Sequence, residues 1–400
     1  MQLVMQTNGT FTYAADCIID ANMHYATGIH EIASSYYGAY DSRVSTTVNC
    51  VGSEKNFPGN VYVDAGNFGG PAIKRIGGTL LWPSGTISGG QLIINDTAFA
   101  VLGIGQTTLG ILNTTLVNNG TVQLSNGHGG CCASPELNMT NGAIENNGQF
   151  LFNPSSGGGI RNVTFSGGTF HNNNGGTLIN NASAVSPWGD NEIYLRNSSF
   201  NNEGTIQANG VSLNIFPTTD PVIHGNITVA AGSSIKLGIP STTTTLAADA
   251  VINGAGTVYF FEGNHQVNTA SYNVANTSIG QISYPANVYF NAPSVALNYV
   301  YMLSGILGGT ASKLIKDDMV FFNGNITGGP ISNTDTSIFY YGAGNTNLGS
   351  MNAAFTNNGT VDVNASHGGC CSEPVINLSG GSITNNGLFN VTGSGGIRYV

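Results

Sequence analysis

The sequence predicts an all-β chain wound as a single-stranded parallel β-helix, a β-solenoid expected to be right-handed, with about 24–28 residues per rung. Three observations lead there. The chain repeats itself at an offset of 239 residues, a shorter period of strands and corners runs inside that repeat, and charged residues are only 8% of the chain while Gly numbers 57 of 400.

The long repeat is read directly. "GTISGGQLIINDTAFAVLGIGQTTLGILNTTLVNNGTV", starting at residue 85, aligns without a gap with "GNITGGPISNTDTSIFYYGAGNTNLGSMNAAFTNNGTV", starting at 324. The match continues through "HGGCC" (128–132 and 367–371) to "GGGIRNV" and "SGGIRYV", with one two-residue indel. Residues 13–37 resemble residues 246–272. Residues 1–60 are therefore expected to be the C-terminal part of one unit, 61–299 a complete unit, and 300–400 the truncated start of the next, all in one continuous solenoid. A chain that starts and stops inside its repeat reads as a segment of a larger protein.

The short period lies in "NNGTVQL" (118), "NNGQFLF" (146), "NNGGTLI" (173) and "NNEGTIQ" (201). Each follows a second stretch of alternating apolar residues, as in "ELNMTNGAIE" and "NVTFSGGTFH". Alternation over four to six residues, closed by Asn-Gly or Gly-Gly, reads as strand and corner, because Gly and Asn tolerate the left-handed backbone of tight corners. A propeller blade needs about 40 to 50 residues, so rungs about 4.8 Å apart are the better fit. Val122, Leu124, Leu137, Ile144, Phe150, Phe152, Val163, Phe165, Phe170, Leu178 and Ile206 are the expected inward columns. One stretch, "ASKLIKDD" (311–318), approaches a helical pattern and is expected to be a short helical excursion.

Composition narrows the function. The net charge is −10 and the ten Lys and Arg are scattered, which argues against nucleic acid as a partner, since phosphate binding needs clustered cations. No apolar run reaches the roughly 18 residues of a membrane span; "AFAVLGIG" (98–105) comes nearest. The opening "MQLVMQTNGT" does not read as a secretory leader. No cofactor is implied.

The cyclic pattern "GGTLLWPSGTISGGQLII", "NTTLVNNGTV", "NGAIENNGQF", "FNNEGTIQA", "ITVAAGSSIKLG" resembles the Gly/Asn/Thr-rich tandem repeats of very large cell-surface and secreted adhesin-like proteins. Those in turn resemble the parallel β-helices of filamentous-haemagglutinin and autotransporter-passenger type. The resemblance implies an extracellular or cell-surface structural protein, a rod- or filament-forming repeat segment. Its partners would be flanking repeats, copies of itself in a filament or surface layer, and glycans. The alternative is an adhesin or carbohydrate-binding β-helix using its loop edge; a third reading is a polysaccharide lyase or hydrolase. The last needs converging carboxylates, yet only Asp96 and Asp335 recur in register. Flanked by Thr, they read as turn caps.

Variable loops between the strands place His128, Arg161, Trp188, Asp190, His367 and Arg398 on one expected contact edge. The paired Cys131 and Cys132, and Cys370 and Cys371, are disulfide candidates. Adjacent Cα atoms lie 3.8 Å apart, short of the usual span of about 4.4–6.8 Å, so a vicinal bond would be strained. Bonds to another chain or a flanking repeat, free thiols, and a His/Cys metal site remain open beside it. Cys17 and Cys50 are candidates for a rung-to-rung disulfide, with free buried thiols as the alternative. Fifteen Asn-x-Ser/Thr acceptors permit glycosylation: Asn8, Asn95, Asn113, Asn119, Asn138, Asn162, Asn181, Asn197, Asn226, Asn276, Asn325, Asn358, Asn364, Asn377 and Asn390.

Overall fold

The computed structural model describes residues 2–13, 22–33, 41–103, 109–124, 136–153, 162–182, 192–342, 349–364 and 377–392. Among them every regular element is a β-strand, most of them of four residues. The strands pair in parallel with strands one rung away, which makes the chain a β-solenoid and not a barrel. The chain falls into two compact units, Met1–Asn214 and Ile215–Val400. Their border lies inside the 61–299 repeat, so compactness and sequence periodicity divide the chain differently.

In the first unit, one face stacks Glu54–Phe57, Ile73–Ile76, Leu92–Ile94, Thr115–Asn118, Ala143–Asn146, Thr169–Asn172 and Ser199–Asn202. In the second, the corresponding face stacks Val222–Ile223, Thr243–Leu246, Gly263–Val267, Ala286–Phe290, Gly305–Gly308, Asn325–Ile326 and Ser350–Met351. These strands are too short to be stable alone. Each gains its partner bonds and its apolar cover from the rungs above and below.

Rung length varies more than the predicted 24–28 residues. It is 18 from Ile76 to Ile94, 24 from Ile94 to Asn118, 28 to Asn146, 26 to Asn172 and 30 to Asn202. The values 18, 24 and 28 recur in the second unit, from Ile315 through Asn333 and Asn357 to Asn385. Strand length is held and the connections absorb the difference, as expected where only the strands must stay in register. The stacked register also runs through Asn172 and Asn202, one residue before and one after the motif positions 173 and 201.

The side chains alternate, one inward and one half-exposed, along nearly every strand. All eleven predicted inward residues are buried to within 1%. Their rings form a column, with Phe150 at 5.3 Å from Phe170 and 5.8 Å from Phe165, and Phe170 stacked on Phe200 at 5.9 Å. Each buried phenylalanine contributes roughly 1.5–3 kcal/mol.

The expected helical excursion at 311–318 is instead a strand, Ser312–Ile315. Lys313 and Ile315 point inward while Ser312 and Leu314 are exposed. Two inward positions set two residues apart impose the strand period, and the parallel partners on both sides supply its hydrogen bonds. Asp96 and Asp335 occupy β-turns closed by Ala98 N–H to Asn95 O (2.9 Å) and Ser337 N–H to Thr334 O (3.3 Å). Trp82 is wholly buried, a packing residue.

Candidate functional site

The interior of each unit carries polar groups that a hydrophobic lumen would exclude unless they bond one another. Asn118, Asn146, Asn172 and Asn202 end successive strands and are almost fully buried. Each of the first three donates from Nδ2 to Oδ1 of the next: Asn118 to Asn146, Asn146 to Asn172 and Asn172 to Asn202, all at 2.7 Å. The second N–H of each amide goes to a backbone carbonyl one rung on, Gln149 O at 2.9 Å, Thr177 O at 3.2 Å and Thr205 O at 3.0 Å. The ladder starts where Ile94 gives way to Asn118, whose Oδ1 is buried without a partner. In the second unit Asn333 donates to Asn357 (2.9 Å) and Asn357 to Asn385 (2.6 Å).

A second ladder runs along the outside with the opposite polarity. Asn147 donates to Asn119 and Asn173 to Asn147, both at 2.9 Å, and in the second unit Asn386 donates to Asn358 at 3.1 Å. Paired asparagines in "NNG" thus serve one amide inside and one outside the same corner.

Three lysines are buried outright: Lys55, Lys74 and Lys313. Lys74 Nζ sits within hydrogen-bond reach of four backbone carbonyls that share its three N–H groups, Ser88 at 2.9 Å, Gly90 at 3.0 Å, Gly70 at 3.2 Å and Ala72 at 3.4 Å. Lys313, its equivalent 239 residues on, donates to Ala311 at 3.1 Å and Gly309 at 3.3 Å. The cage depends on Gly70 and Gly309. Their φ values are +85° and +89°, and an added Cβ would lie 2.3 Å from Cys50 O and 2.1 Å from Phe290 O. Burial lowers the pKa of all three ammonium groups, that of Lys313 to about 8. Sequence reasoning passed over these lysines. The signal was present, since "EKNF", "IKRI" and "SKLI" place Lys at inward alternating positions, and 74 and 313 recur in register.

His265 is buried, with Nε2 3.0 Å from Glu262 O and Nδ1 without a partner. Desolvation, opposed by that backbone bond, lowers its pKa to about 4, so the ring is neutral. Cys50 is a free, fully buried thiol; burial pushes it up to about 12 against the pull of the Lys74 and Lys55 ammonium groups. A thiol so raised is inert as a nucleophile.

Among the described residues the acids do not gather in one cluster of three or more. Asp64 pairs with Arg43 at 2.6 Å, Glu54 with Arg75 at 2.8 Å, Asp249 with His224 at 2.8 Å and Glu145 with His171 at 3.3 Å. Among the described residues no group of three or more His, Cys, Asp or Glu could hold a metal ion, and no helix is long and apolar enough to cross a membrane.

The predicted contact edge, His128, Arg161, Trp188, Asp190, His367 and Arg398, lies outside the described residues, as do Cys17, Cys131, Cys132, Cys370 and Cys371. Of the glycosylation acceptors, Asn8, Asn113, Asn119, Asn138, Asn181, Asn226, Asn325, Asn358, Asn377 and Asn390 are exposed, and Asn95 and Asn276 are half-buried. Asn162 and Asn364 have undescribed side chains. Asn197 corrects the prediction. It is wholly buried and its Nδ2 donates to Gly167 O at 2.9 Å, so the folded rung has no room for a glycan there.

Comparison with protein-family models, with curated proteins and with solved structures finds no match to the chain.

Proposed function

We propose that the chain is a structural repeat segment of a large cell-surface or secreted protein, of the adhesin-like tandem-repeat kind, whose work is to supply length and stiffness. The observation that carries this reading is the asparagine ladder. Inner and outer amides join consecutive rungs in addition to the backbone pairing, as in Asn146 to Asn172 at 2.7 Å and Asn173 to Asn147 at 2.9 Å. Such uncharged ladders are not screened by salt, unlike surface ion pairs. The scattered, paired acids support a non-catalytic role, because glycosidase chemistry needs two carboxylates facing one bond.

Electron microscopy of chains carrying one, two and three 239-residue units tests the proposal. Particle length should grow by a constant increment per unit at unchanged width. Particles that widen with each added unit would overturn it.

A further inference from the structure

On one outward face of the second unit, consecutive rungs place in register Lys236, Tyr259, Ser278, Tyr301, Val320, Tyr340 and Asp362. A tyrosine therefore returns at every second rung, about 9.6 Å apart. The inward neighbours Val258, Phe260, Val300, Met302, Phe339 and Tyr341 are buried, so strand alternation turns the three tyrosines outward. Tyr301 is 37% exposed, and Tyr259 and Tyr340 are half-buried. Ser278, between Tyr259 and Tyr301 in register, is only 6% exposed. Tyr259 Oη donates to Gly280 O, on the next rung, at 3.2 Å.

Rung stacking does not require this column. In the first unit the same register reads His24, Arg43, Tyr62, Leu81, Val101 and Gln123. Only Tyr62, the equivalent of Tyr301, is a tyrosine, and Arg43 covers its ring at 5.1 Å. Among the described residues of this register, the spaced tyrosines belong to the second unit.

The surroundings select the occupant. Thr257 and Asn276 flank the column with neutral hydrogen-bonding groups. Burial, and then Asp318, Tyr301 and Tyr340, raise the pKa of the Tyr299 phenol beside them. Lys236 lies in register beside Tyr259, while Asp318 and Asp362 border the column toward Tyr340, so charges of both signs offset one another and the face favours no strongly charged polymer. An extended peptide would need a free strand edge, and these strands are paired on both sides. A pyranose ring offers an apolar C–H face to an aromatic ring and hydroxyls to its rim. In an extended β-linked glycan the advance per sugar is close to one rung spacing, and alternate sugars present the same face. We propose that Tyr259, Tyr301 and Tyr340 form a stacking platform for a linear, uncharged, β-linked polysaccharide lying along the rungs. This goes beyond the structural role and stands or falls separately from it.

Calorimetric titration of the whole chain with cellohexaose and with N-acetylated chitohexaose tests the platform, with maltohexaose as the α-linked, coiled control. One β-linked hexamer should bind at least about tenfold more tightly than its dimer, since only the hexamer reaches all three rings. Tyr301→Ala should weaken binding about tenfold and Tyr301→Phe should leave it. An unchanged thermal melt would show that the alanine variant remains folded. The platform is refuted if neither β-linked hexamer binds, if maltohexaose binds equally, or if Tyr301→Ala binds like the parent chain.

Discussion

At the scale of single residues, the lumen makes two pH dependences that no surface group would produce. His265 has its folded pKa lowered to about 4 from 6.5. The unfolded chain therefore binds the proton more readily, and stability is lost as pH falls from 6.5 toward 4, by about 3 kcal/mol for a shift of this size. Thermal melts across that interval should show the loss in the parent chain and a flatter profile in His265→Phe. Lys313 behaves in the alkaline range with the same sign. Its folded pKa is about 8, so the buried ammonium opposes folding at neutral pH. The Lys313 contribution to stability then rises between about pH 8 and the unfolded value near 10.4, as the unfolded state alone keeps that proton, while the Cys50 thiol, raised to about 12, contributes in the opposite sense. In Lys313→Met that alkaline rise should disappear from the same melts. Neither residue was singled out from sequence. A lysine or histidine in a polar-rich strand is indistinguishable from a surface residue until the phase of the alternation is known, and one residue of slip reverses the phase.

At the scale of elements, the rungs were legible because their inward residues are large and their corners are marked by Asn-Gly. Phe150, Phe152 and Phe165 identify themselves in this way. Lys313 hid its strand, since a charge at an inward position reads as a break in the apolar pattern. The asparagine ladder was half legible: the motif announced its recurrence, while its offset at Asn172 and Asn202 came from unequal connections. The ladder is also where a single change should spread. Asn146 accepts from Asn118 and donates to both Asn172 and Thr177. Replacing it with alanine leaves buried partners unsatisfied on both sides, at a cost of about 2–3 kcal/mol. Denaturant titration of Asn146→Ala should record that loss, whereas exposed Asn147→Ala should cost well under 1 kcal/mol.

At the scale of the whole molecule, the 239-residue repeat is a repeat of geometry as well as letters. Gly70, Gly85, Gly89, Gly103 and Gly110 have φ of 85°, 88°, 81°, 73° and 107°. Their equivalents Gly309, Gly324, Gly328, Gly342 and Gly349 have 89°, 119°, 81°, 75° and 70°. Because each rung interacts with its neighbours only, one full period is dispensable to the stacking. Joining Ser84 directly to Gly324, which removes 239 residues in register, should give a chain that keeps a β-rich circular dichroism spectrum and resists protease. Removing seven fewer should not, because the junction rung then meets its neighbours out of phase. The loop edge was less legible for a physical reason: Gly-rich loops such as "NGHGGCCASP" return only at the 239-residue offset and lack the strand alternation by which a rung partner is assigned.

The paired asparagines also bear on chemical ageing. An Asn-Gly sequence deteriorates when the glycine nitrogen attacks the preceding side-chain amide, expelling ammonia and leaving a ring that opens to aspartate or isoaspartate. At Asn147 both participants are already engaged. The Gly148 N–H donates to Asn118 O at 3.0 Å, and the Asn147 amide donates to Asn119 at 2.9 Å. The bonds that hold one rung to the next thereby shield this corner from the reaction that would introduce a negative charge into it.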